Sequence, residues 1–299
     1  MDNETSLVIK VSSPLVNTSD GDIDTDILYQ MFEIGLNALS GEGDYPEWFR
    51  LLFSNDDVIG IKVNTLGGPG MSTRVEAVDV LSGLLSDSGI PRKKHLIWDR
   101  HDWELKAVGY TLKTRGGPLC FGTDHTGVGF SNRLVSKGKV GGLLSTILTD
   151  YCSGFVNFPV LKDHGVAGIT CSLKNHYGSI HNPNKYHDNG CDPYIADLNS
   201  LEQIRMHQRL IIVDCLRVQF HGGPAYHRRW ATDYGALLFG TDPVAIDTVG
   251  YGIIEDLRKD AGMEPLKGSK REPIYIQRSA QYGLGNSDPE KIELKEFIV

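Results

Sequence analysis

The chain contains five cysteines but no C-x-x-C pair. Cys120, Cys152, Cys171, Cys191 and Cys215 are scattered and odd in number, which argues against a chelate-type zinc site, a cysteine-held iron–sulfur cluster and a full disulfide framework. Buried free thiols are the remaining expectation. Long apolar runs are also missing, and nothing approaches the ~18–20 residues that span a bilayer. Basic charge is in deficit: 30 Lys and Arg against 38 Asp and Glu leave a formal charge of −8. The densest basic block, RKKH at Arg92–His95, reads as a solvated turn before a strand, so no nucleic-acid partner is expected. There is no G-x-S-x-G elbow, Walker A loop or dinucleotide fingerprint. There is also no internal repeat and no low-complexity linker. The amino terminus lacks a basic stretch followed by an apolar one, so no export signal is read. The expectation is a soluble protein, cytoplasmic as given or else the mature form of an exported one.

What is present is ordinary in bulk and unusual in detail. At 299 residues, with 40% hydrophobic and 23% charged residues, the chain can bury a large core. Short β-rich runs at Leu7–Val11, Asp57–Asn64, His95–Asp99, Gly154–Leu161, Arg209–Asp214 and Ala236–Asp242 alternate with segments of helical spacing at Asp24–Leu39, Ser72–Ser86 and Pro243–Lys259. This alternation predicts an α/β fold: one domain over 1–299, with a mostly parallel sheet and helices on both faces. The glycine-rich stretch Arg100–Ser153 reads as an excursion or small inserted subdomain.

Ligands of open parallel sheets collect at the carboxyl ends of the strands. Polar residues fall there in this chain: Lys62 and Asn64, Asp99 and Arg100, Lys162 to His164, Asp214, and Thr241 with Asp242. A shared cleft is therefore expected.

The densest chemistry lies in NFPVLKDHGVAGITCSLKNHYGSIHNPNKYHDNGCD, Asn157–Asp192, which holds His164, His176, His181 and His187, four of the chain's ten histidines. Imidazole, amide and ammonium groups are costly to bury unpaired, so this concentration marks a place where something polar is bound or transformed. Lys162, His164, Lys174, Asn175 and His176 are the candidates for proton transfer and charge stabilisation. His181 and His187, with Asp163 or Asp188, are candidate ligands for a divalent transition metal. Asn182 and Lys185 share the same loop, whose glycine, asparagine and proline content argues against helix. The plain alternative is that these residues only stitch a long loop to the core.

Three further motifs bear on the cleft. In KVNTLGGPGMSTR, Lys62–Arg74, a strand runs into a glycine-rich loop; Gly67, Gly68, Gly70, Ser72 and Thr73, with Lys62 and Asn64, form a candidate anion site at a helix start. Ser72 or Thr73 would cap the helix, with Glu76 completing a capping box around Thr73. In QFHGGPAYH, Gln219–His227, His221 is the site candidate on a loop placed to close over the cleft. In GTDPVAID, Asp242 reads first as a helix cap before Pro243, with a cleft role as the alternative.

Together, the strand end at Lys62–Asn64, the GGPG…ST loop, NFPVLKDH, SLKNHYGSIHNP and GTDPVAID resemble a bacterial and archaeal family catalogued as "domain of unknown function 362". The resemblance runs from about Asp57 to the last strand and implies a fold and a domain extent. Members often carry a twin-arginine export signal, and some are fused to ferredoxin-like modules; neither feature is expected from these residues. The expected function is an enzyme acting on a small anionic ligand in a Lys/His/Asn-rich cleft. The rivals are a non-catalytic anion- or metal-binding module and a redox partner protein.

Overall fold

A computed structural model describes residues 5–18, 21–41, 44–54 and 56–299. The first four residues, part of the amino-terminal stretch read for an export signal, lie outside the described residues. The strands are β1 (Ser6–Ser12), β2 (Ile59–Lys62), β3 (His95–Trp98), β4 (Leu119–Cys120), β5 (Val135–Lys137), β6 (Val140–Gly142), β7 (Gly154–Asn157), β8 (Val160–His164), β9 (Gly168–Thr170), β10 (Gln208–Gln219), β11 (Ala231–Gly240) and β12 (Ile292–Ile298). The helices are α1 (Thr25–Ser40), α2 (Tyr45–Leu52), α3 (Val75–Asp87), α4 (Asp102–Ala107), α5 (Ser172–Asn175), α6 (Tyr194–Asn199), α7 (Glu202–Arg205), α8 (Pro243–Asp260) and α9 (Tyr275–Gln281).

Ten strands form one sheet in the order β12–β1–β11–β10–β7–β2–β3–β4, with β8 paired to β10 and β9; β5 and β6 form a separate hairpin. β12 and β1, β10 and β7, β7 and β2, β2 and β3, β3 and β4, and β10 and β8 pair in parallel. β11 is antiparallel to both β1 and β10, and β9 to β8. The fold is thus α/β with a mostly parallel sheet.

Side-chain alternation along the strands divides the core in two. Ile9, Ile61, Val156 and Ile212 face one side, where α1, α2 and α3 bring Phe32, Phe49 and Leu81. Val8, Phe155, Ile211 and Val213 face the other, where α8, α9 and α6 bring Ile254, Tyr275 and Leu198. Residues of the glycine-rich excursion, Phe121, Val140, Leu144 and Ile147, join that second layer. Each buried side chain of this size contributes about 1.5–3 kcal/mol, which offsets the cost of the polar groups buried at the strand ends.

Three expected elements change in instructive ways. The run Gly154–Leu161 is two strands, because Pro159 has no N–H for the ladder; β8 resumes at Val160 and pairs with β10. β10 continues past Asp214 to Gln219, with a register shift between Cys215 and Arg217, so Asp214 lies inside a strand. α3 begins at Val75, and neither Ser72 nor Thr73 caps it: Ser72 Oγ donates to the Gly68 carbonyl and Thr73 Oγ1 to the Phe158 carbonyl. The carboxylate that meets the start of α3 is Asp214, which accepts the Arg74 N–H at 2.8 Å.

Candidate functional site

β2, β3 and β7 are parallel neighbours, so their carboxyl ends meet at one edge, with Lys62 opposite both Trp98 and Asn157 in register. α5 and the loop that follows it cover that edge. Between them lies a cavity of about 230 Å³. Lys62, Asn64, Asp99, Lys162, His164, Lys174, Asn175 and His187 line it, and Arg100, Glu104, Tyr177 and Gly178 join them.

Lys62 is fully buried, and its Nζ lies 2.7 Å from Asp99 Oδ1, with further bonds to the Val63 carbonyl and Asn175 Oδ1. Burial alone would raise the Asp99 carboxyl, but the Lys62 charge and two bonds from Thr65 hold it below the usual carboxylate range. Glu104, 3.5 Å from Thr65 Oγ1, is pushed upward by burial and by the Asp99 charge.

Lys62 can only donate, and that fixes a run of amides behind the cavity. Asn175 turns Oδ1 toward Lys62 and gives its Nδ2 to Asn157 Oδ1 at 2.8 Å. Asn157 in turn gives Nδ2 to Gln208 Oε1 at 2.8 Å, and His176 Nε2 meets the same oxygen at 3.0 Å. His176 is fully buried at the far end of this run and does not line the cavity. Burial pushes its pKa down to about 4. Its place behind the wall is a correction to its expected position in the cleft.

Lys162 is fully buried; Nζ donates to Asn64 Oδ1 at 2.9 Å and to the Met71 carbonyl at 3.3 Å. Lys174 lies 3.3 Å from His187 Nε2 and 3.9 Å from the centre of the Tyr177 ring. Among the described residues neither lysine has a carboxylate partner. Burial lowers the Lys162 pKa to about 7, with Asp99 pulling it back up and Lys174 pushing it further down. Burial likewise lowers Lys174 to about 8.

The two histidines of the cavity have settled tautomers. His164 Nδ1 accepts the N–H groups of Val166 and Ala167, so in the neutral ring the proton sits on Nε2, a donor for the cavity. His187 Nδ1 meets the Pro183 carbonyl, so Nδ1 holds the proton and Nε2 accepts from Lys174. The rings stack with centres 5.6 Å apart. Burial and the neighbouring lysines hold the pKa of both below the ordinary imidazole value.

With this geometry in view, comparisons with known proteins place the chain. The model of the family described as "Domain of unknown function (DUF362)" matches residues 59–252. The chain belongs to this family. Comparison with curated proteins returned no match. A crystal structure of a Thermotoga maritima protein is similar at 10% identity and a TM-score of 0.36, over 87% of this chain and 59% of that one. The chain thus spans less than two thirds of that protein's length.

The remaining candidates are not brought to the cavity. Asp163 follows Lys162 on β8 and faces the opposite side, where it pairs with Arg271 at 2.8 Å and accepts the Gly223 N–H. His181 is exposed and packs edge-on against Phe130, Asp188 and Asn182 are exposed, and Lys185 Nζ donates to the Gly141 carbonyl. The expected metal set is therefore dispersed. Among the described residues no group of three His, Cys, Asp or Glu side chains could hold a metal ion. His221 lies edge-on against Trp230 and near Arg258, although Pro224 of its loop does line the cavity. Asp242 caps α8 through Val244 and Ala245 and accepts from Ser6; β11 is antiparallel, which carries its end away from the cleft.

The glycine loop is a scaffold for the lysines. Three of its backbone N–H groups, on Gly68, Met71 and Thr73, are used by carbonyls of the loop and of Asn64. A Cβ on Gly67 would collide with the Met71 carbonyl and stand 2.9 Å from Lys162 Nζ, and one on Gly70 would enter the Tyr226 ring. Sequence reasoning missed Gly178, where a Cβ would stand 2.8 Å from Asp99 Oδ1. It also missed Glu104 and Tyr177. Glu104 stands on α4, five residues beyond the strand-end Asp99.

Proposed function

We propose that the cavity binds a small anionic substrate and acts on it. The observation that carries this reading is the pair Lys162 and Lys174, buried in one cavity with only neutral partners. An ammonium held away from water without a counter-charge is costly, and a bound carboxylate or phosphate would remove that cost. His164 Nε2–H supplies a neutral donor beside them, and half-buried Arg100 adds positive charge to the cavity wall. Glu104 and the two lysines, all shifted toward neutrality by burial, are groups able to exchange protons with a bound substrate.

The test is calorimetry with oxalate and inorganic phosphate on the wild type and on Lys174→Met, followed by turnover assays by NMR over a panel of small carboxylates and phosphates. Binding that Lys174→Met abolishes, with a melting temperature close to wild type and consumption of a panel member, is the expected result. Binding unaffected by Lys174→Met would overturn the site. Ligands retained but never consumed would leave a binding module.

A further inference from the structure

The two lysines are not equivalent, and the difference rests on the proposed anion site. Lys174 Nζ faces an aromatic ring and an imidazole lone pair, and both favour the charged form. Lys162 Nζ faces two oxygens, Asn64 Oδ1 and the Met71 carbonyl. A tetrahedral nitrogen bonded to Cε and giving two N–H bonds has one position left. In the neutral amine that position is a lone pair, and Lys162 is part of the cavity wall.

The geometry points to Lys162 as an imine-forming nucleophile, with Lys174 holding the acid group of the same ligand, so that the substrate class is small carbonyl compounds bearing a carboxylate or phosphate. Desolvation and a neighbouring cation are two conditions that free an amine for this chemistry; Lys162 is fully buried and shares the cavity with Lys174, and burial outweighs the opposing pull of Asp99. The Lys162 nitrogen adds to the carbonyl carbon, a C–N bond forms, and the π pair moves to oxygen, which takes a proton. The nitrogen lone pair then closes the C=N bond as the hydroxyl leaves with a second proton as water. The two protons lost by the amine balance the two gained by the departing oxygen, and no oxidant is consumed. His164 Nε2–H is the donor for the developing oxyanion, and Glu104 is the carboxyl group whose shifted pKa suits delivery of the second proton. Gly67 leaves the space this requires, since a Cβ there would crowd Lys162 Nζ.

The experiment is borohydride trapping on the whole chain with glyoxylate, pyruvate and glyceraldehyde 3-phosphate, with acetone as the uncharged control, read by intact mass and peptide mapping. The expected result is a single reduced adduct on Lys162 with at least one anionic probe. It should be absent with acetone at the same concentration and absent in Lys162→Arg and Lys162→Met. Lys174→Met should still form it, but only at roughly tenfold higher probe concentration or more. Mapping on the wild type stands without the variants should either misfold. No adduct, or adducts spread over surface lysines, while oxalate or phosphate still binds, overturns imine formation and leaves the anion site intact. Loss of both trapping and anion binding overturns the two readings together.

Discussion

Lys62 ends β2 and Asp99 directly follows the parallel neighbour β3, and the two meet at 2.7 Å, cancelling one positive charge of the cavity against one negative charge. The buried ammonium groups left without a carboxylate partner among the described residues are those of Lys162 and Lys174, with Arg100 and Glu104 at the cavity wall beside them. Breaking the pair should therefore do more than remove one contact. Asp99→Asn leaves a buried ammonium uncompensated and should cost about 3–5 kcal/mol, read by urea unfolding at neutral pH. An unchanged midpoint would mean that the pair contributes little.

The lysine pair predicts opposite pH trends for binding and stability. Lys162 titrates at about 7 in the folded chain against 10.5 as its ordinary value. Between these values the unfolded chain holds the extra proton, so stability rises with pH, and Lys162→Met should flatten that rise. Oxalate affinity should fall over the same interval as the lysines, Lys174 at about 8 included, lose charge. Parallel melting and calorimetric titrations from pH 6 to 10 would expose a shared direction, which this account forbids.

Asp247 offers a second pH test, at a group outside the cavity lining. Buried on α8, it accepts from the Leu173 N–H, and burial raises its carboxyl to about 7 against an ordinary 3.8. Here the folded state holds the extra proton, so the stability contribution falls as pH rises from about 4 to 7. Asp247→Asn should remove that fall and match or exceed wild type in melting temperature at pH 8. A variant that melts well below wild type at that pH would show that the charged form is the one required.

Asp163 should behave as a staple. Asp163→Ala leaves Arg271 and the Gly223 N–H without their acceptor and should destabilise by about 3 kcal/mol. EDTA should leave the wild-type melting temperature unchanged. A chelator-sensitive transition restored by one metal would return Asp163 and His187 to candidacy as ligands.

Gly178→Ala is a steric test. The added methyl would stand 2.8 Å from Asp99 Oδ1 and 2.9 Å from Lys62 Nζ, side-chain ends tied by bonds to the Val63 carbonyl, Asn175 and Thr65, so making room for it disturbs the cavity wall. Oxalate affinity should drop by about tenfold or more, since one weakened charge-assisted bond is worth roughly 1.5–3 kcal/mol. Wild-type affinity would place the ligand away from this wall.

How much of this was legible in sequence depends on the range of the physics. β1, β3, α1 and α8 follow from local runs, and Asp24 and Asp242 cap helices at the expected starts. Lys62, Asn64, Asp99, Lys162 and His164 were placed by the rule that strand ends gather ligands, and all five line the cavity. The rule failed where direction is set by long-range pairing: β11 runs antiparallel, and Asp242 ends at the other edge. Asp163 was grouped with His187 because they share one segment, yet the two-residue period of β8 turns Asp163 away from Lys162 and His164. Glu104, Tyr177 and Gly178 carry no local signature, since tertiary packing alone gives them cavity positions.

The amide run from Lys62 through Asn175 and Asn157 to Gln208 has a polarity, because each link must accept at one end and donate at the other. Size alone does not qualify a residue for these positions. Aspartate fits the volume of asparagine but offers no proton, and leucine offers neither end, so either would break the sequence of donors midway. The orientation of Asn175 at the cavity is thereby dictated from both sides, by an ammonium that only gives and by a glutamine oxygen shared with His176. The cavity wall keeps its donor pattern even when empty, and a ligand meets a surface whose polarity was set at a distance from it.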